Sequence, residues 1–300
     1  MLDTPIARIE NLRVEFETKD GTVVGVEDVS FEINAGETVC IVGESGSGKS
    51  VSSLSLMRLI EYGGGTITGG RMLFDRREGG EIDLAQTEQG LMRTIRGNEI
   101  GMIFQEPMTA LNPVFTVGRQ LSEGLQVHRG MTRKEARARA LELLREVRIP
   151  EPERRLDQYP HELSGGMRQR ILIASAFAAE PKLIIADEPT TALDVTVQKQ
   201  ILKLIAALQR EHGTALLFVT HDLGVVSKVC DTLSVLYGGK VVETANMRRF
   251  FTRPIHPYSR ALLAATPTYT NPTGSLTPVP AQVIADVDAE VLDHDRRHPA

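Results

Sequence analysis

Eight consecutive residues, Gly43-Glu44-Ser45-Gly46-Ser47-Gly48-Lys49-Ser50, fit the pattern GxxxxGK[ST]. Glycines at 43, 46 and 48 let the main chain wrap closely and turn its N–H groups inward, so that a polyphosphate can rest on aligned amides at a helix start. Lys49 would then bring a positive charge to the β and γ phosphates, and the Ser50 hydroxyl would ligate Mg²⁺. A flexible Gly/Ser loop with an accidental lysine would match the same string. Its position argues otherwise, because an apolar run, Thr38 to Val42, precedes it and a helical stretch opens at Ser50-Val51.

A second group follows Leu183-Ile184-Ile185-Ala186, where Asp187 and Glu188 stand side by side before Pro189. Two carboxylates at the end of a buried strand are costly unless a cation or a reaction uses them. Asp187 suits the Mg²⁺ shell, and Glu188 suits a base that polarises an attacking water. A third group, Thr220-His221, follows the apolar run Ala215 to Val219.

Elements of a particular kind must hold these groups. The three runs are apolar almost throughout, the pattern of strands buried on both faces in a parallel sheet. Open α/β sheets place ligands at the carboxyl ends of such strands, so three distant segments are expected to build one site. Residues 9 to 35 instead alternate around a Lys19-Asp20-Gly21 turn, which predicts an antiparallel β entry. From about 88 to 180 the chain has helical character. Thr132-Arg133-Lys134-Glu135 has capping-box form, and apolar residues recur at helical spacing until Pro150. Beyond Pro267 no periodicity is sustained, which predicts a mobile tail or linker.

Composition narrows the partners. An apolar share of 41% in 300 residues supports a real core, and a net charge of −5 provides no basic field for nucleic acid. Aromatic residues amount to only 5%, too few for base-stacking platforms. Apolar stretches are shorter than a bilayer span requires, and residues 1 to 8 lack an export signal. A cytoplasmic protein is expected. The two cysteines, Cys40 and Cys230, have no metal or redox spacing and read as buried or incidental residues.

Leu163-Ser164-Gly165-Gly166-Met167, together with Gln105, Ala192-Leu193-Asp194 and His221, gives the chain a specific likeness. With the P-loop and the acidic strand end, it resembles the nucleotide-binding subunit of ATP-binding cassette (ABC) transporters over residues 9 to about 266. Within that superfamily, the stretch Glu106 to Pro113 after Gln105, and His256-Pro257-Tyr258-Ser259-Arg260-Ala261-Leu262-Leu263, resemble the oligopeptide, dipeptide, glutathione and nickel importer group. Arg76-Arg77-Glu78, Glu81 to Leu84 and Arg148-Ile149-Pro150 look most like the first half of the glutathione importer ATPase.

The resemblance implies an α/β fold: a P-loop NTPase core of ABC type with an antiparallel β subdomain and an inserted α-helical subdomain. The ATP-binding domain would span 6–266, with the helical insertion at about 88–180. Phe16 resembles the aromatic that stacks on adenine, a core β aromatic being the other reading. Gln105 resembles the residue that reaches Mg²⁺ and the attacking water, and His221 the switch that contacts the γ-phosphate and orders Glu188. Ser164, Gly165 and Gly166 resemble the signature that covers ATP held by an opposing subunit, and Asp194 the residue that couples the two sites.

The cofactors implied are ATP and Mg²⁺. Many relatives carry a C-terminal cysteine cluster for an iron–sulphur centre. With no cysteine after Cys230, no such cluster is expected. Implied partners are a second ATPase subunit, in a heterodimer more readily than a homodimer, two membrane permease subunits and, indirectly, an extracytoplasmic solute-binding protein. The chain would lie at the cytoplasmic face of the inner membrane. Import of peptides or peptide-like solutes is the expected role, with nickel or another small solute as the alternative. Two rivals come from other classes: a soluble ABC protein acting on DNA or ribosomes, and a subunit that binds ATP without hydrolysing it.

Overall fold

The computed structural model describes residues 5–191, 193–266 and 279–297. The chain opens with an antiparallel pair, Ala7–Thr18 (β1) and Gly21–Ile33 (β2), whose ladder runs from Ala7 opposite Ile33 to Thr18 opposite Gly21. Ile9, Leu12 and Val14 are buried in one core, a register shift between Ile9 and Leu12 keeping them on one face across an odd spacing. Thr38–Val42 (β3) is buried at every position and leads through the P-loop into Lys49–Leu56 (α1). Gly65–Asp75 (β4) and Glu81–Asp83 (β5) return to the first sheet, in the order β2-β1-β4-β5.

A largely helical stretch follows: Gln89–Ile95 (α2), strand Ile100–Ile103 (β6), Pro107–Ala110 (α3), Val117–Arg129 (α4), Arg133–Glu146 (α5), Pro152–Arg155 (α6) and Gly165–Phe177 (α7). The capping box forms at α5: the Thr132 hydroxyl accepts from the Glu135 N–H at 3.3 Å and the Glu135 carboxylate accepts from the Thr132 N–H at 2.8 Å. One expectation is corrected here. Ile100–Ile103 is not helical but pairs in parallel with Leu183–Asp187 (β7). Four apolar residues in a row carry too little periodicity to separate strand from helix.

Val195–His212 (α8), Ala215–Thr220 (β8), Leu223–Val229 (α9), Thr232–Tyr237 (β9) and Lys240–Asn246 (β10) complete a second sheet, in the order β10-β9-β3-β8-β7-β6. All its pairings are parallel except β9 with β10. Along β3, Val39 and Ile41 join a core with Leu12, Val14, Leu217 and Val219. Cys40 and Val42 point the other way, into a core with Ile171, Ile201 and Phe218. The central strands are thus covered on both faces, which explains their unbroken apolar sequences.

Met247–Thr252 (α10), Pro257–Ala265 (α11) and Ala281–Arg297 (α12) follow. The expectation of a mobile tail is corrected for the last of these. Val279 and Val287 are buried at 5% and 1% exposure, within the core that includes Tyr258. The remaining tail positions, 267–278 and 298–300, lie outside the described residues. The cysteines are also corrected. Cys40 and Cys230, 190 positions apart, form a disulfide with Cα atoms 6.0 Å apart, because the β8–α9–β9 crossover carries the end of α9 to the side of β3. Among the described residues no helix is long and apolar enough to cross a membrane.

Candidate nucleotide site

Strands β3, β8 and β7 are neighbours and run in the same direction, so the P-loop, Thr220-His221 and Asp187-Glu188 emerge at one edge of the sheet. The P-loop lies tight against what is behind it. A Cβ on Gly43 would collide with the Leu236 carbonyl, and one on Gly48, whose φ is +98°, would come within 2.5 Å of Val26. Only glycine gives this path without displacing the sheet. Lys49 is 6% exposed, and its ammonium donates to the Glu44 carbonyl at 2.7 Å. Burial lowers its pKa, while the carboxylates of Glu188, Asp187 and Glu44 pull in the opposite direction.

The Ser50 hydroxyl donates to Asp187 Oδ1 at 3.2 Å. Burial is the main cause that pushes the Asp187 carboxyl up to about 6, with Glu188 adding to it against the hydrogen bond from Ser50. A hydroxyl and a carboxylate side by side, beside a cradle of main-chain amides, form the hard oxygen donor set that Mg²⁺ takes next to phosphate. The residues fit ATP with Mg²⁺.

Glu188 is held more firmly than its neighbour. Its backbone sits in the left-handed region at φ 45°, and its N–H donates to the Val219 carbonyl at 2.9 Å. Its carboxylate accepts from Gln105 Nε2 at 3.2 Å and from the Thr191 hydroxyl at 2.8 Å, and the other oxygen lies 3.0 Å from His221 Nδ1. Burial works to raise its pKa, but the hydrogen bonds from His221 and Thr191 and the charge of Lys49 outweigh it, holding the group below the usual carboxylate range. Glu188 is therefore an ionised, fixed acceptor at neutral pH.

The cleft over these groups measures about 760 Å³, and its wall includes the P-loop, Gln105, Glu188, His221, Phe16, Val23, Val24 and Leu262. Phe16 is half-buried, with its ring over Gly25 and Gly65. Val23 and Val24 are 53% and 43% exposed, so an apolar surface lies open beside the ring. The sequence assigns no place in the site to these valines, to Leu262 or to Thr191. An apolar pair that breaks strand alternation was a signal for the valines, whereas Thr191 and Leu262 show no local pattern.

The signature does not join the cleft. Ser164 caps α7 and accepts from the Met167 N–H at 3.4 Å, and Ser164 and Gly165 are exposed and outside the cleft wall. Asp194 caps α8, accepting from the N–H groups of Thr196 and Val197 at 3.0 and 2.9 Å, and it too lies outside the cleft wall.

A phosphate cradle, a buried lysine and a fixed glutamate on a sheet of this order define a P-loop nucleotide hydrolase. Residues 26–191 match the profile described as ABC transporter, and the chain belongs to that family. It is 50% identical to the glutathione import ATP-binding protein GsiA of Pectobacterium atrosepticum over 96% of its own length and 46% of that protein's. The chain thus spans about half the length of that relative. A Brucella abortus protein, whose name provisionally assigns it to ATP binding in peptide import, is 53% identical over 88% of this chain and 78% of its own. Among solved structures, the ATP-binding cassette MJ0796, described as a dimer in a post-hydrolysis state bound to ADP and Pi, superposes with a TM-score of 0.70 at 31% identity, covering 81% of this chain and 99% of that one.

Proposed function

We propose that the chain is the ATP-hydrolysing subunit of an importer for peptides or peptide-like solutes, glutathione among them. The observation that carries the catalytic part is Glu188, ionised and fixed by Gln105, Thr191 and His221 within one cleft with Lys49. In this reading the P-loop amides and Lys49 bind the phosphates, Phe16 with Val23 and Val24 offers the base an apolar face, and Glu188 orients the attacking water and draws its proton. Ser50, Asp187 and Gln105 would hold Mg²⁺, which when bound neutralises phosphate charge. His221 keeps Glu188 in place.

Ser164 and Gly165, both exposed, stand with Gly166 at the N-terminus of α7, where the helix dipole suits a phosphate belonging to another molecule. Two cassettes closing head to tail would bring each signature over the partner's P-loop, with Asp194 linking the two sites. ATP favours this closed state only through contacts that exist there and not in the open one. Phe104, Met108 and Val114 are 40%, 66% and 68% exposed around the segment that follows Gln105, a surface suited to a cytoplasmic helix of a membrane permease. The names of the relatives support peptide or glutathione import. The chain would be peripheral to the membrane, paired with a paralogous ATPase and two permease subunits, with a solute-binding protein acting from outside.

The test is Glu188→Gln. It should retain ATP binding and accumulate an ATP-dependent dimer by size-exclusion chromatography, while turnover falls at least ~100-fold, the scale expected for a lost base. Near-normal turnover removes Glu188 from its role. Absence of ATP-dependent association, alone or with its cognate ATPase, removes the two-cassette mechanism.

A further inference from the structure

A second cleft, of about 660 Å³, lies between α8 and α9 and shares no wall residue with the nucleotide site. Leu202, Ala206 and Ala207 of α8 and Val229 of α9 make its floor, Leu202 buried and the others half-buried. Its rim is cationic. Lys199, Lys203 and Arg210 stand along α8, Lys228 closes the α9 side, and Arg148 comes from two residues past the end of α5, all five exposed. Among the described residues no carboxylate lines this cleft, and no ion pair engages Arg148, Lys203, Arg210 or Lys228.

Helix ends account for part of this charge. Arg210 and Lys228 lie in the last turns of their helices, where the dipole stabilises a cation. Lys199 and Lys203 have no such reason. They sit four apart in the first half of α8, a spacing at which like charges oppose each other and cost the helix stability. Arg148 also lies close enough to Arg170 that its charge joins burial, the larger cause, in lowering the Arg170 pKa. Positive charge is thus gathered on one face of a chain whose net charge is −5. An anion that docks here relieves the local repulsion, whereas the molecule as a whole repels it.

The layout selects the kind of anion. From Lys199 to Arg210 the helix rises about 16 Å, so these cations cannot converge on one phosphate group, and the apolar floor between them offers a polyphosphate nothing. A flat bilayer surface does not fill a concave cleft. A short helix with an apolar stripe and carboxylates beside it meets both features. We propose that the cleft between α8 and α9 is a docking groove for an acidic amphipathic helix of a protein partner, whose apolar stripe lies on Leu202, Ala206, Ala207 and Val229 and whose carboxylates pair with the cationic rim. Charge steers the encounter and fixes the register, and burial of the stripe holds the complex. The inference stands apart from the nucleotide chemistry proposed above.

The experiment titrates the full chain into a labelled, helix-stapled peptide of about fourteen residues, about 21 Å of helix, with leucines on one face and glutamates on either side, and reads fluorescence anisotropy. The peptide should bind, and raising ionic strength from about 0.05 to about 0.3 M should weaken it at least ~threefold. Lys203→Glu combined with Arg210→Glu, both at exposed positions, should raise Kd at least ~tenfold. Ala206→Phe fills the floor and leaves every charge in place, and should raise Kd at least ~fivefold. Circular dichroism and thermal melts establish that each variant folds. If Ala206→Phe does not, a peptide with serines in place of leucines asks the same question of the wild type, and it should bind at least ~fivefold more weakly. No binding by the wild type, an unchanged Kd in the charge-reversed variant, or equal binding of the serine and leucine peptides overturns the proposal. So does binding of inorganic tripolyphosphate, or of phosphatidylcholine–phosphatidylserine vesicles, that is lost on charge reversal while the peptide does not bind, since the cleft then serves a small anion or a lipid surface.

Discussion

Lys49 and Glu188 meet opposite requirements in one cleft. The lysine is largely desolvated and holds its place through a main-chain carbonyl, so its charge is poorly screened and available to phosphate oxygens. Replacing it with alanine should weaken nucleotide binding by about 1.5–3 kcal/mol, roughly tenfold to a hundredfold, the range for hydrogen bonds to charged groups. Titration with an ATP analogue checks this, and an unaltered affinity would remove the phosphate contact. Glu188 stands at a backbone conformation that a non-glycine residue adopts at a cost, and its N–H bond to Val219 and three side-chain neighbours offset that cost. The P-loop string and the Asp187-Glu188 pair were legible in sequence because their chemistry is written in consecutive residues. Thr191 was not, since a threonine three places past a glutamate is unremarkable until the loop folds its hydroxyl back to 2.8 Å from the carboxylate.

Glu243 shows how an element junction can depend on one ionised group. It sits on β10 at 7% exposure and accepts from the N–H groups of Ile255 at 2.9 Å and His256 at 2.9 Å, fixing the approach to α11. Burial would raise its pKa, but these main-chain donors, with Ser259 and Arg249, outweigh it and hold the pKa low. A depressed folded pKa contributes stability above the unfolded glutamate value of ~4.3, and that stability is lost as pH falls through the folded value. Glu243→Gln should cost about 1–3 kcal/mol at neutral pH, and the gap to wild type should narrow below about pH 4.5. Thermal melts across pH 3.5 to 8 read this out, and a gap independent of pH would refute it. The junction had no sequence signature. The capping box of α5 did, because both its partners lie within four residues, whereas β6 and α12 depend on contacts with segments far away in the chain.

At the scale of the whole molecule, the buried strands could be read as a parallel sheet, but their order could not. Apolar runs reveal that both faces are covered without specifying which strand lies beside which. The order found here sets β3 between β8 and β9, so Val42 meets Thr220 and Ala186 meets Phe218 before any site exists. Pairings between such distant residues form slowly, while helices such as α4 and α5 need only local contacts. Refolding from urea should therefore restore most of the far-ultraviolet dichroism before it restores binding of an ATP analogue, and simultaneous recovery of the two signals would contradict this. A growing chain has a corresponding history. It makes its glycine loop early, yet must wait until Ala215–Thr220 has been synthesised and docked before the strand leading into that loop has a parallel partner. During that interval the newborn protein carries the most recognisable part of an ATPase without its capacity to act as one.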